Sequence, residues 1–226
     1  MKSISQIVEE QVHRWQIQQK EKPEEKPIAP VVTISREPGS GGRIVAQNLA
    51  ARLGFEVFHQ EVLHEMAKGA EVSEQLLATL DERGLSILED WISSLIDDRH
   101  LWPDQYLQHL MKVIGTLGKH GRSVVVGRGA NFILPPEQRF RVRITAPQGL
   151  RIKNVARDFN LSPDEAKRRV IKTESNRKAF IRKYFNADIA DPTNYDLVMN
   201  TATLTVDNAV DVIGAALGCL EECELS

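Results

Sequence analysis

The chain has 226 residues and a mass of 25.4 kDa, with 42% hydrophobic and 27% charged side chains. That length and balance exclude a wholly disordered chain and allow one domain with a real core, plus an appended arm. The net charge of -2 gives no sign of a nucleic-acid or acidic-membrane binder, but its distribution is uneven: Arg139 to Lys183 holds 14 Lys/Arg against 4 Asp/Glu, a local +10, which leaves -12 for the remainder.

No run of about 18 apolar residues is present, so no transmembrane helix is expected. The first residues carry Glu9 and Glu10 where a signal peptide needs an apolar run. The two cysteines, Cys219 and Cys223, are one helical turn apart and exclude a disulfide framework. Reduced thiols and a cytoplasmic location are the expectation, and no metal site is assigned.

Ile4, Ile7, Val8, Val12 and Trp15 recur at helical spacing, and a polar stretch with Pro23, Pro27 and Pro30 follows. Residues 1–30 therefore read as one amphipathic helix on a tether, packed on the body or on a second copy of the chain. Residues 31–226 read as the domain. Pro30 to Ser35 is β-branched and predicts a buried strand. The glycine cluster Gly39-Ser40-Gly41-Gly42 follows, and then a helix from Arg43 to Leu53 with Gly54 as its C-cap. Phe55–Phe58 predicts a brief second strand. Residues 60–120 read as helical, with breaks near Gly69–Ser73, Gly84 and Trp102-Pro103. Ser123–Val126 predicts a third strand, ending at Gly127-Arg128-Gly129, and Phe140–Thr145 a fourth. A helix is predicted over Pro147–Phe159. Ser162-Pro163-Asp164-Glu165 is a strong start for the next, which runs to about Tyr184. Asp196–Asn200 predicts a fifth strand and Asp207–Glu222 a last helix. Strands alternating with helices imply an α/β fold, a parallel sheet covered on both faces.

The order strand, glycine loop, helix places free backbone N–H groups at a helix N-terminus, where they can wrap a phosphate. Glycine lets such a loop curl tightly and approach the phosphate oxygens. The loop Ser35-Arg36-Glu37-Pro38-Gly39-Ser40-Gly41-Gly42-Arg43 is not a standard GxxxxGK[ST] motif, because it lacks both the lysine and the hydroxyl after it. Gly42 or Arg43 takes the lysine position, depending on register. An ordinary tight turn is the alternative reading.

ISREPGSGG, SVVVGRGANFIL, the long run RVRITAPQGLRIKNVARDFNLSPDEAKRRVIKTESNRKAF and DPTNYDLVMNT, in this order, resemble the cytidylate kinase-like family of P-loop nucleoside monophosphate kinases. The resemblance covers about Val31 to Gly214. It implies a three-layer P-loop kinase fold with a five-stranded parallel sheet, a helical region that binds the monophosphate, and a basic lid over approximately 151–192. It also implies transfer of the γ-phosphoryl of ATP to CMP, dCMP or a similar acceptor, with Mg²⁺. A nucleotide-binding regulatory module that lost efficient catalysis is the competing reading, and a kinase of another small acceptor a third. Nucleotides are the expected partners, with neither membrane nor nucleic acid; self-association through the N-terminal helix is a further expectation.

On this reading Gly39, Ser40, Gly41 and Gly42 cradle the donor phosphates. Arg43 neutralises them, or is a solvated first-turn residue. Arg36 reaches phosphate, or pairs with Glu37. Arg128 follows the third strand, whose C-terminus faces the ligand crevice of an open parallel sheet. By the resemblance it contacts the acceptor, with Asn131 and His59 beside it. Arg151 and Lys153 lie on one helix of the basic segment. Arg168, Lys172 and Arg177 lie on the next and are taken to share a broad face. Arg177 is the first candidate for stabilising the transferred phosphoryl and Arg168 the second. Asp191 and the Asn194-Tyr195-Asp196 run either order the lid or form a turn. Three positions depart from the family pattern: Phe58-His59 stands for Tyr-Asp, Asn131 for an aspartate, and Val126 for an aspartate before the Gly-Arg. Fewer carboxylates near the phosphates weaken the expectation of a normal Mg²⁺ water shell.

Overall fold

The structure is a computed structural model that describes residues 6, 9–10, 12–15 and 29–223. Most of the expected linker, 18–30, lies outside the described residues. Five strands, β1 (Val31–Arg36), β2 (Glu56–Phe58), β3 (Ser123–Val126), β4 (Arg139–Thr145) and β5 (Leu197–Asn200), form one sheet in the order β2-β3-β1-β4-β5. Every neighbouring pair is parallel. Parallel strands need covering on both faces, and the two apolar clusters supply this. Val32, Ile34, Val124, Val126, Val142 and Ile144 pack on one face with α1 (Gly42–Leu53) and α9 (Val206–Cys223).

Val31, Phe58 and Val125 belong to the other cluster. Against them lie α2 (Gln60–Lys68), α3 (Ala70–Leu77), α4 (Glu82–Asp98) and α5 (Gln105–His120). Leu110, Met111, Ile114 and Leu117 are fully buried at helical spacing on α5, each contributing roughly 1.5–3 kcal/mol of burial. The described part of the N-terminal helix joins this layer. Trp15 is buried and stacks on His120 with ring centroids 3.9 Å apart.

The predicted punctuation holds at Gly54, which caps α1 in the left-handed region at φ 64°. It holds also at Ser162. There a complete capping box opens α8 (Pro163–Phe185), with the Ser162 hydroxyl accepting from Glu165 N and the Glu165 side chain accepting from Ser162 N. Gly84 does not break the chain. The break falls at residues 78–81, and Gly84 sits inside the first turn of α4, where its N–H donates to the N-cap carboxylate of Asp81 at 2.7 Å. A short helix α6 (Ala130–Ile133) follows β3, and α7 (Gln148–Phe159) follows β4.

This topology sets the site. The chain moves from β1 out to β2, returns through β3, and then crosses to β4 on the other side of β1. The loops after β1 and β3 therefore emerge side by side at the carboxyl edge, the crevice where open parallel sheets bind ligands. Ile34 is in register with Val126, which brings Arg36 and Arg128 out at the same level.

Candidate active site

The glycine loop is held from outside by its carbonyls. Asn154 Nδ2 on α7 donates to Gly39 O at 2.8 Å, and Thr201 Oγ1 donates to Ser40 O at 2.8 Å. Gly41, Gly42 and Arg43, at the start of α1, line the loop cavity, where the first N–H groups of a helix lack intrahelical partners. Gly39 and Gly41 have φ of 82° and 77°, a conformation that favours glycine. A Cβ on Gly39 would also overlap the carbonyl oxygen of Arg151. Ser40 has a different duty from the cradle role expected of it. It is buried, and its N–H and hydroxyl both donate to Glu37 O, at 3.2 and 2.9 Å, so it folds the loop.

Two cavities meet over this loop. One, of about 400 Å³, is lined by Gly39, Gly41, Gly42 and Arg43 with Glu61 and Arg169. The other, of about 290 Å³, is lined by Gly127, Arg128, Gly129 and Asn131 with Asn176 and Phe180. Arg36, Gln60, Thr173 and Arg177 line both. The junction is thus formed by two guanidinium groups and two neutral polar side chains.

The cations at the junction are crowded. Arg177 Nη1 donates to the carbonyl of Arg36 at 2.7 Å. Burial lowers the pKa of Arg36 to about 9; Arg177, and more weakly Arg128 and Arg43, push the same way, while Glu61 opposes. Burial likewise lowers Arg177 to about 10, with Glu61 opposing and Arg143 and Arg128 reinforcing. Among the described residues, three buried donors have no hydrogen-bond partner: Arg128 Nε, Asn131 Nδ2 and Arg177 Nε. All three residues line the smaller cavity. Buried donors left unpaired are costly, so an anionic group rich in acceptor atoms is the complement this site lacks.

Arg128 is held in an unusual backbone state. It has φ of 55° between Gly127 at 82° and Gly129 at 73°, three successive left-handed residues. For a non-glycine residue this costs roughly 1–2 kcal/mol, and such strain concentrates at functional sites. Gly129 is also required by space, since a Cβ there would overlap the Phe185 ring, and a Cβ on Gly127 would displace the Arg36 guanidinium. The Arg128 guanidinium lies over the Phe180 ring, 5.2 Å from its centroid.

The remaining candidates divide. Arg36 does not pair with Glu37, because Glu37 faces Arg151 at 3.3 Å and Arg143 at 3.9 Å and accepts from Ala146 N. Arg36 is thereby left to the cavities. Arg43 is exposed on the loop cavity, 3.8 Å from Glu61. His59 is the N-cap residue of α2, with Nε2 at 3.4 Å from Gln47 Nε2. Burial, then Arg43, lower its pKa below 6.5. It lines neither cavity, whereas its neighbour Gln60 lines both. Arg168 and Lys172 do not share a face with Arg177: both are exposed and line neither cavity. The cavity-facing stripe is Arg169, Thr173, Arg177 and Phe180. Its first three members are four residues apart, and Arg168 and Lys172 stand one position off, about 100° around the helix. Asp191 caps a short turn, its carboxylate accepting from Thr193 N at 2.9 Å, and Asp196 clasps Arg141 through Nη2 at 2.6 Å.

Gln60, Thr173, Asn176 and Phe180 did not stand out in the sequence as site residues. The last three share the i, i+3, i+4, i+7 pattern around Arg177, which was the signal available.

The phosphates of ATP fit the loop cavity, where Gly39, Gly41 and Gly42 lie beside Arg36, Arg43, Arg169 and Arg177. Among the described residues no three His, Cys, Asp or Glu side chains cluster to hold a metal by themselves. A Mg²⁺ ion commonly keeps waters and takes one or two carboxylates beside the substrate phosphates. The carboxylate on the loop cavity that faces Arg43 is Glu61. Among the described residues no helix is long and apolar enough to cross a membrane.

A glycine loop opening the first helix at the carboxyl edge of this parallel sheet, crossed by an arginine-bearing helix, defines a P-loop phosphotransferase. The profile of the Cytidylate kinase-like family matches residues 31–203, and the chain belongs to that family. It is 27% identical over 184 residues to the cytidylate kinase of Ignicoccus hospitalis, covering 81% of this chain and 96% of that protein. It is 30% identical over 193 residues to the cytidylate kinase of Natronomonas pharaonis, covering 83% and 88%. Among solved structures, an uncharacterized protein from Eubacterium ventriosum superposes with a TM-score of 0.63 at 21% identity, covering 84% of this chain and 98% of that one. A gluconokinase from Sinorhizobium meliloti superposes with a TM-score of 0.50 at 13% identity, covering 88% and 98%. The three-layer P-loop kinase fold implied by the sequence resemblance is therefore the fold observed.

Proposed function

We propose that the chain is a nucleoside monophosphate kinase that transfers the γ-phosphoryl of ATP to CMP or dCMP. The observation that carries this reading is the junction of two cavities at Arg36 and Arg177, each cavity lined by donors suited to phosphate. The relatives named cytidylate kinase support the choice of acceptor.

In this reading the glycine loop and the start of α1 hold the donor phosphates, with Arg43 at the outer side. Arg128 and Asn131 hold the acceptor through their unpartnered nitrogens. Arg177 and Arg36 stand between and stabilise charge on the phosphoryl as it passes from one side to the other. Mg²⁺, when bound with ATP, supplies further neutralisation of the phosphate oxygens. No strong general base is needed, since the attacking group is already an anionic phosphate oxygen. Phosphoryl transfer asks chiefly for positioning and electrostatic stabilisation, and both are what crowded, buried guanidinium groups provide.

The test is incubation with ATP and Mg²⁺ against a panel of nucleoside monophosphates, scored for ADP and the diphosphate product. CMP and dCMP are expected to turn over fastest. Measurable ATP binding without turnover of any monophosphate would overturn the reading.

A further inference from the structure

Resting on the phosphoryl-transfer reading, we propose that Arg151 is a positioning residue. It is the centre of a buried charge relay, Glu37–Arg151–Glu174, that ties the glycine loop to the helix carrying Arg177. The sequence offers Arg151 as one more lid cation for phosphate. The structure gives it a different place. Its side chain is 7% exposed and surrounded by protein acceptors. Nε donates to Ala146 O at 2.9 Å and lies 3.3 Å from Glu37 Oε2, and Nη1 donates to Glu174 Oε2 at 2.9 Å.

Each end of the relay reaches a working part of the site. Glu37 is a residue of the loop itself, and its other contacts, to Ala146 N and Arg143, fix it to the end of β4. Glu174 precedes Arg177 by one helical turn on α8 and is further clamped by Lys178 at 2.9 Å. Arg177 in turn donates to the carbonyl of Arg36, immediately before Glu37. The two connections close a ring: loop to α7 to α8 and back to the loop. α7 adds backbone contacts to the same loop, through the Arg151 carbonyl packed against Gly39 and Asn154 on Gly39 O. A displacement of the loop is therefore transmitted to the turn of α8 that carries Arg177. Because misplacing a reacting group by about 1 Å can cost 10²-fold in rate, a relay of this kind affects turnover without touching either nucleotide.

The test uses Glu174→Ala, at a partly exposed helical position, with Glu174→Gln as the conservative variant. With ATP and CMP, Glu174→Ala is expected to lower kcat by about tenfold or more while both KM values stay within about twofold. Glu174→Gln, which keeps an acceptor for Arg151, is expected to recover part of that loss. The double variant Glu174→Ala/Arg177→Ala should be no slower than Arg177→Ala alone, since both act through one group. A lowered melting temperature with unchanged kcat overturns the proposal, and so does a double variant slower by the product of the two effects. If the wild-type chain turns over no acceptor, amide exchange separates this proposal from the catalytic reading. ATP binding should slow exchange around Glu174–Arg177 markedly more in the wild type than in Glu174→Ala. Equal slowing in both, or slowing in neither, overturns the relay.

Discussion

The two helices of the basic segment contain the same residue type under opposite conditions. On α7, Arg151 is enclosed by Glu37, Glu174 and the Ala146 carbonyl. On α8, Arg177 is half-buried, lines both cavities and keeps an unpartnered Nε, and its charged neighbours include other arginines. An arginine clamped between carboxylates fixes geometry, and one with a buried, unpartnered nitrogen is suited to an anion. The local +10 that marks this stretch in the sequence is therefore the sum of unlike parts: a clamp between carboxylates, a cavity-lining cation with an unpartnered nitrogen, and solvated residues such as Arg168 and Lys172.

The largest effect that separates these roles is expected from Arg177→Ala. Turnover with ATP and a monophosphate should fall by about 10²–10³-fold, the usual loss for one preorganised donor on a developing charge. The melting temperature of the ligand-free protein should hold or rise, because a like-charge neighbour of Arg36 is removed. A parallel loss of stability would place Arg177 with Arg151 as a structural cation. Gly39→Ala tests the α7 side of the comparison. It puts a Cβ against the Arg151 carbonyl at a left-handed φ, so unfolding experiments should show a loss of about 1–3 kcal/mol. ATP affinity should weaken in the same variant.

A remote histidine provides a control outside both helices. His120 stacks on Trp15 and faces Thr79 Oγ1 at 2.8 Å, and burial lowers its pKa from 6.5 to about 4. The unfolded chain takes up a proton on this group at higher pH than the folded one, so its contribution is complete above 6.5 and is lost as pH falls toward 4. Roughly 3 kcal/mol is at stake in that window. Urea unfolding at stepped pH should show a shallower acid slope for His120→Gln than for the wild type, with kcat at neutral pH unchanged. Smallest of all, Arg168→Ala should alter turnover by less than about twofold, since the side chain is solvated one position off the cavity stripe.

Much of the architecture was legible because local chemistry and global fold agree. β-branched runs became the strands, Gly54 and Ser162 marked helix ends, and the glycine loop announced a phosphate site through backbone geometry alone. Gly84 misled because a glycine in a first helical turn still donates its N–H to a capping aspartate. The site was legible in part. Arg36, Arg128, Asn131 and Arg177 line one cavity. Which face of α8 turns inward depends on how α7 packs, and that contact joins residues far apart in sequence. The same reason hid the partner of Glu37: the adjacent Arg36 was the obvious choice, and the actual choices, Arg143 and Arg151, come from β4 and α7. His59 and Gln60 show how one residue at a helix start decides whether a side chain lines the cavities.

The central claim is that the cavities over the glycine loop and over Gly127-Arg128-Gly129 are two halves of one phosphoryl-transfer site joined at Arg36 and Arg177. A compound linking adenosine and cytidine through five phosphates would span both. Its dissociation constant, measured by calorimetry beside those of ATP and CMP, is predicted to be at least about 10²-fold lower than either, as linked ligands in correctly spaced sites should be. An affinity no better than that of ATP alone would mean that the two cavities are not occupied together, and the account would be wrong.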